Sequence, residues 1–445
     1  MKQKTLLIIL YSLLLIPIKI AAQSPEDKKT KPYTVTKTEQ LQVIDSINLL
    51  LNKKYIFLET AKKMGDFILS NFKNGSYSTI TDPVLFAERL TADLLVISND
   101  KHIRVQYNPS YIKETRENDK NADHEEYPAS VIEQLKKSNY GFKEVKILEG
   151  NIGYLDLRSF EETSFGGKTA VAAMNFLSNT NALIIDLRKN GGGSPAMVQL
   201  ITSYLFDSEP VYLNNIYYRQ TDTNEQYWTL PYVSGERIPN ADIYILTSTS
   251  TFSAAEEFTY NLKNLHRATV IGEITGGGAN PGENNIATDQ FTVWIPTGRA
   301  INPITKTNWE GTGVQPDIQV PASDALYTAQ VKALEKLAAK DAENPNKIYP
   351  WLLTSLKVKQ NPITLKPKES ESYMGKFGSK NITYENGDLF YQLNTVQKVK
   401  MVPIEKDLFD LEDTMLRVEF KKVNGKIASI TVHNVNGNAK NYQKN

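Results

Sequence analysis

Cysteine is absent from all 445 residues of the chain. Disulfides, thiol nucleophiles, thiolate metal sites and lipid attachment through a cysteine are therefore excluded together. Stability must come from apolar cores, and a chain of this length can bury two or three of them. Excess charge of one sign is missing as well. The 51 Lys and Arg almost cancel the 50 Asp and Glu, leaving a net charge of +1, so no global field draws nucleic acid or an anionic surface. Histidine is scarce: the four are His102, His124, His266 and His433, and no spacing among them reads as a metal site. No cofactor and no metal are expected. Gly-x-Ser-x-Gly is missing, and so are the phosphate-loop ending Gly-Lys-Ser/Thr and the GxGxxG spacing.

Long apolar runs are missing too, apart from one at the start. Lys2 and Lys4 precede the run Leu6 to Ile18, and the small residues Ala21 and Ala22 follow. That order is the order of a secretory signal peptide. The run is interrupted by Tyr11, Ser12, Pro17 and Lys19 and is shorter than the roughly 20 apolar residues of a membrane span. Residues 1–22 are thus expected to be a signal peptide, cleaved near Ala22 or Gln23. The mature chain is expected to be exported, periplasmic or extracellular, with no membrane span.

What remains is patterned. Leu41, Ile44, Ile47, Leu50 and Leu51 recur at helical spacing, and further helices are predicted over Tyr55–Asn71 and Asp82–Ile97. They define an N-terminal helical domain, 23–110, closed by the alternating stretch His102 to Tyr107. A charged loop follows from Tyr111 to Glu126. Residues 145–340 read as a mixed α/β core. Its strands are Ile152–Leu157, Ala182–Asp186, Ile243–Leu246, Thr269–Ile271 and Phe291–Ile295; Ala182–Asp186 is almost wholly apolar and so central. Its helices are Thr169–Leu177, Pro195–Leu205, Ala254–Asn264 and Asp324–Lys340. A linker with a short helix, 341–366, leads to short alternating segments over 367–445. These are split by Asn386-Gly387 and Asn424-Gly425, strong hairpin signals. The tail is expected to be a separate antiparallel β domain, a barrel or a sandwich.

Two places could carry chemistry. The hydroxyl-rich run Thr247 to Ser253 leaves a strand and enters a helix. Ser253 and Glu256 form Ser-x-x-Glu, which reads equally as a capping box or as a nucleophile on a strand-to-helix turn, the Ala254 amide facing an oxyanion. Asp186-Leu187-Arg188-Lys189-Asn190-Gly191-Gly192-Gly193 ends the central strand, and its glycines either make a tight turn or bring amides to a ligand. A serine hydroxyl needs a base near neutral pH, usually histidine; His102 lies on the polar face of its strand.

Read together, these motifs resemble peptidase family S41. The resemblance is carried by Ser250 to Phe258, Arg267 to Glu273, Gly276-Gly277-Gly278-Ala279 and Asp186-Leu187-Arg188 with its glycines. Asp100-Lys101-His102, Ile301-Asn302-Pro303, Asn308-Trp309-Glu310-Gly311 and Gly313 to Asp317 are similar to the branch containing interphotoreceptor retinoid-binding protein. The resemblance covers roughly residues 90–330. It implies a ClpP/crotonase-like α/β core and hydrolysis of peptides or unfolded proteins. It further implies Ser253 as nucleophile and an acyl-enzyme, with amides of Ala254 and Gly192 as oxyanion donors. Where C-terminal processing peptidases carry a catalytic lysine, this chain has Gly278. His102 and Glu310 match the base and the orienting carboxylate of the tricorn protease branch, so a ring nitrogen of His102 is expected within hydrogen-bond reach of Ser253. Lys101 replaces a serine of that branch. No convincing PDZ segment lies between His102 and Glu149. The retinoid-binding relatives leave a second possibility, a non-hydrolytic carrier of a hydrophobic ligand or peptide on the same fold.

Overall fold

The computed structural model describes residues 33–118, 129–343, 348–394 and 397–445. The expected signal peptide and His124 lie outside the described residues. Three helices open the described chain: α1 (Lys37–Lys54), α2 (Leu58–Lys73) and α3 (Pro83–Ser98). Their starts follow from local chemistry. Thr36 and Glu39 form a capping box, and the Asp82 carboxylate accepts the Val84 and Leu85 amides with Pro83 in the first turn. Asn99 ends α3 with φ 53°. Three residues later the chain passes His102 and enters β1 (Arg104–Tyr107). The stretch expected as a charged loop instead begins with α4 (Pro109–Asn118), and α5 (Ala129–Lys137) follows.

The α/β core runs through β2 (Phe142–Leu148), β3 (Ile152–Leu157), α6 (Thr163–Phe176), β4 (Ala182–Asp186), α7 (Pro195–Ser203), β5 (Tyr212–Tyr218) and β6 (Thr223–Trp228). It continues with β7 (Asp242–Thr247), α8 (Ala254–Asn264), β8 (Ala268–Gly272), β9 (Gly282–Ile286), β10 (Phe291–Pro296), β11 (Gly298–Ile301), β12 (Ile318–Gln319), α9 (Ala325–Lys340) and α10 (Ile348–Gln360). The main sheet has the order β12-β8-β7-β4-β3-β2, parallel except for β2. One face packs on α6, α7 and α8 through Leu155, Leu183, Ile185, Met197 and Phe258. The other packs on α9 and α10 through Tyr154, Ile184, Leu246, Ala329 and Leu352. Covered on both faces, the central strands are almost wholly apolar. The helix expected inside a linker is thus longer than foreseen and packs against the sheet.

The helical region and the core share a hydrophobic interior. β1 pairs antiparallel with β10, Val105 opposite Val293, and β10 pairs with β9. Phe291, Val293 and Ile295 lie in one buried cluster with Ile44, Leu90 and Leu94. That pairing brings the residues around His102 to the core.

After α11 (Pro367–Ser372), eight strands from β13 (Gly375–Phe377) to β20 (Ala439–Gln443) each pair antiparallel with the next. A bridge between Phe377 and Lys444 joins the first strand to the end of the last. The Gly378 amide donates to Gln443 and the Asn445 amide to Lys376. The sheet therefore closes into a barrel around Tyr373, Tyr391, Phe409, Phe420 and Ile430. Both Asn-Gly turns have two left-handed residues, φ 53° and 93° at Asn386-Gly387 and 49° and 76° at Asn424-Gly425, as a two-residue hairpin needs. Among the described residues, no helix is long and apolar enough to cross a membrane.

The barrel is fastened to α10 by Arg417 and its partner Asp410, which also accepts the Ser355 hydroxyl. The Arg417 guanidinium lies 3.9 Å from the centre of the Trp351 ring, donates to the Trp351 carbonyl at 2.8 Å, and pairs with Asp410 at 2.6 Å. The pair is almost buried, so removing one partner strands the other's charge. Arg417→Ala should cost about 3 kcal/mol of barrel stability. Denaturant melts should show this loss, and limited proteolysis between Gln360 and Lys366 should accelerate.

Candidate active site

β4 and β7 are parallel neighbours, so their carboxyl ends open onto the same crevice, where open α/β sheets bind ligands. The loops leaving them are stitched together. The Thr251 hydroxyl donates to the Leu187 carbonyl at 2.8 Å, the Ser248 hydroxyl to Arg188 at 2.5 Å, and the Phe252 amide to Asn190 at 3.0 Å. Ser253 ends this run with φ 55° and ψ −122° and begins α8. A non-glycine residue in that region is strained.

Ser253 and Glu256 meet as a capping box at the start of α8, with the carboxylate half the firm one. Glu256 accepts the Ser253 amide at 3.0 Å, whereas the hydroxyl makes no cap hydrogen bond. Glu256 is fully buried and also accepts the Thr275 hydroxyl at 2.5 Å and the Gly277 and Gly278 amides at 2.7 and 2.8 Å. Burial pushes its carboxyl up, and these donors pull it back.

Gly192 packs against the serine: a Cβ there would lie 2.7 Å from the Ser253 Cβ and 3.0 Å from the Ala254 nitrogen. Its amide, expected to face an oxyanion, donates instead to the Asn190 Oδ1 at 2.9 Å. An Asx-type turn has taken that donor. The neighbouring Gly193 and Ala254 line one small recess with Ser253, and their amides are not engaged in backbone bonds.

His102 is brought against this turn from the far end of the chain. Its side chain is 8% exposed. The ring lies 4.6 Å, centre to centre, from that of Phe252, the residue before the serine. Its Nδ1 is 3.4 Å from the Asp100 carboxylate. Asp100 is itself held by the His102 amide, the Asn280 amide group and the Tyr55 hydroxyl at 3.1, 3.0 and 3.3 Å. Asp100, His102 and Glu310 have ligand atoms within 4.8 Å of one another. The third member sits on a loop anchored by Trp309, whose Nε1 donates to Gly278 at 2.7 Å. One Glu310 oxygen accepts the Ala279 amide at 2.5 Å, and the other is buried without a partner. Burial, then the Asp100 charge, push the Glu310 carboxyl up to about 7.

The expected hydrogen bond between His102 and Ser253 is not made: both ring nitrogens lack a hydrogen-bond partner. Two carboxylates and an imidazole this close can hold a divalent cation or support a base. Sequence reasoning quoted Asp100 only as part of a motif and missed it as the carboxylate beside the imidazole. The absence of a lysine at 278 has a steric reason. A Cβ at Gly278 would stand 2.2 Å from the Phe252 ring and 2.7 Å from the His102 ring. Lys101 turns away and donates to the Gly276 carbonyl at 2.6 Å.

A model of peptidase family S41 matches residues 151–320, and one described as the N-terminal domain of Peptidase_S41 in eukaryotic IRBP matches residues 30–145. Among solved structures, a candidate S41 protease from Bacteroides fragilis NCTC 9343 is 21% identical over 42% of this chain, with a TM-score of 0.38. This chain spans 52% of that one, about half. A candidate peptidase from Parabacteroides merdae ATCC 43184 is 18% identical over 63% of this chain and 90% of its own, with a TM-score of 0.43. The tricorn protease is 15% identical over 66% of this chain and 35% of its own, with a TM-score of 0.42.

Two outcomes follow from the packing and charge. Gly278→Ala should lower stability by about 1–3 kcal/mol through overpacking and displace the Phe252 ring, as denaturant melts and a crystal structure of the variant would show. The second concerns pH. The Glu310 carboxyl titrates near its ordinary value of 4.5 when unfolded but at about 7 when folded. The folded chain therefore keeps a proton that the unfolded chain loses, and stability falls as pH rises from 4.5 through 7. Glu310→Gln is spared this loss. Between pH 4.5 and 8 the variant should gain on the order of 3 kcal/mol over wild type, measured by denaturant midpoints at both pH values.

Proposed function

Because the chain belongs to peptidase family S41, we propose that it hydrolyses peptides or unfolded proteins as a serine peptidase with Ser253 as nucleophile. The observation that carries this reading is the buried imidazole of His102, flanked by two carboxylates and packed at a tilt against the residue before Ser253. A serine is a poor nucleophile without a base, and among the described residues no other histidine joins this cluster.

In this reading His102 takes the Ser253 proton as the hydroxyl oxygen attacks the scissile carbonyl. The resulting imidazolium is steadied by Asp100 at its Nδ1 side and by Glu310 nearby. The ring must close a hydrogen bond to the hydroxyl for this step, and such bonds tighten in the reacting complex. The negative charge on the carbonyl oxygen is met by the free amides of Ala254 and Gly193, in place of Gly192. Each donor is worth about 3 kcal/mol of barrier. His102 then returns its proton to the leaving amine, giving an acyl-enzyme on Ser253. Water activated by the same imidazole hydrolyses the ester. The basic, apolar, small-residue order of residues 1–22 supports export of the mature chain. Nothing about the recess favours the carrier alternative.

Ser253→Ala should reduce hydrolysis of an unfolded protein such as casein by about 1,000-fold or more while leaving the fold intact. Losing a cap alone would cost about 1 kcal/mol and little rate. A folded variant cleaving at the wild-type rate would refute the assignment; circular dichroism and a fluorogenic casein assay decide between the outcomes.

A further inference from the structure

A second opening lies between α10 and the barrel, and it shares no lining residue with the recess at Ser253. It holds about 800 Å³, within the roughly 300–1,000 Å³ of a ligand pocket. From α10 come Leu352, Ser355 and Val358, spaced three apart and so on one face. From the barrel come residues of β15 (Asp388–Gln392), β16 (Lys398–Glu405) and β17 (Leu408–Leu411). Leu389 pairs with Met401, and Met401 with Leu411, so the three form one row across neighbouring strands. The floor they make is apolar. Two more large apolar side chains line the cavity half open, Ile363 and Met415, each 42% exposed. Open apolar surface of this kind, at the seam of two modules, marks a place where something binds.

Two further observations say what fits there. The first is charge. Lys359, Lys400 and Arg417 are already paired with Glu149, Asp388 and Asp410. The adjacent Glu412 and Asp413, also in the lining, form no ion pair among the described residues. Lys400 feels Glu412 as well, but its hydrogen bond goes to Asp388 at 2.8 Å. The rim is therefore negative on balance and favours a cation. The second observation is the chain itself. Residues 362–365 form one wall and belong to no helix or strand. Pro362 and Pro367 bracket this wall, and the Ile363, Thr364 and Leu365 amides donate to no other backbone group. Three consecutive free amides make a short ladder to which an extended peptide can add. An apolar small molecule would leave that ladder unused.

We propose that this cavity is a second binding site, which anchors an extended segment of unfolded polypeptide carrying bulky apolar residues and then a lysine or arginine. The segment's backbone pairs with residues 363–365, and alternate side chains drop onto Leu352, Met401 and Phe409. Its basic residue ends at Glu412 and Asp413. The site does not rest on the chemistry of Ser253 and stands whether or not that serine cuts.

The test uses the full chain carrying Ser253→Ala, so that no probe is cut, and three fluorescein-labelled peptides followed by anisotropy. The first is Gly-Leu-Thr-Phe-Thr-Leu-Lys-Gly. The second has glutamate for the lysine, and the third has serine for both leucines and the phenylalanine. The first should bind about 5–10-fold tighter than the second and about 100-fold or more tighter than the third. Charge reversal at the rim, Glu412→Lys with Asp413→Lys, separates this site from the crevice at Ser253. Both positions are exposed, so the fold should survive, as circular dichroism checks, and the order of the first two peptides should invert. An unchanged order in the folded variant overturns the proposal, and so does equal binding of the first and third peptides. Thr364→Pro removes one ladder amide and should weaken the first peptide by about 5-fold or more; an unaltered affinity counts against the pairing and overturns it. Saturable binding of dodecylamine with no binding of any peptide would make this a small-molecule site and overturn the proposal as well.

Discussion

A single buried carboxylate holds the site together. Glu256 receives the Ser253 amide, the Thr275 hydroxyl and the Gly277 and Gly278 amides. Each charge-assisted bond contributes about 1.5–3 kcal/mol, and the four together offset part of the cost of taking the carboxylate out of water, which still holds the Glu256 carboxyl above its ordinary value. Everything else at the site hangs from the segments so joined. The serine turn is on one side. On the other, the glycine loop carries the acceptors for Trp309 and Lys101 and the Ala279 donor for Glu310. Loss of this carboxylate would release both walls of the crevice together.

The site is assembled from five stretches far apart in the chain: Asp100 to His102, Asn190 to Gly193, Ser253 to Glu257, Gly276 to Asn280, and Trp309 with Glu310. The pairing of β1 with β10, over Val105 and Val293, brings the first stretch to the others, where Lys101 and Asp100 bond to Gly276 and Asn280. Non-local contacts of this kind cost loop-closure entropy before they return any stability. The imidazole therefore reaches its place only once the helical region has docked on the core.

This arrangement explains what could be read in advance. Ala182–Asp186 announced itself as a central strand by being apolar throughout. Ala254–Asn264 was bounded by its Ser-x-x-Glu start, and both Asn-Gly turns by chemistry confined to two residues. The pair β5 and β6 was missed because β6, Thr-Asn-Glu-Gln-Tyr-Trp, lies mostly exposed and carries no apolar alternation. Closure of the barrel depends on Phe377 meeting Lys444, and no local pattern encodes a meeting 67 residues apart. At the site, Ser253 and the glycines were marked by local sequence. His102 was one of four histidines that could serve as base, Glu310 came only through resemblance, and their proximity is tertiary. The occupation of the Gly192 amide was legible in principle: an asparagine two residues earlier is the ordinary partner of such a turn.

The closed barrel has a bearing on resistance to proteolysis. An extended peptide is commonly gripped by adding a strand to an unpaired sheet edge, and cleavage of a folded protein begins where backbone can be drawn out. Here the first and last strands occupy each other's edges, and Asn445 is itself held by the Lys376 carbonyl and the Gly378 amide. The barrel thus carries no free ladder to lend. Any protease could reach its backbone only after the barrel had opened.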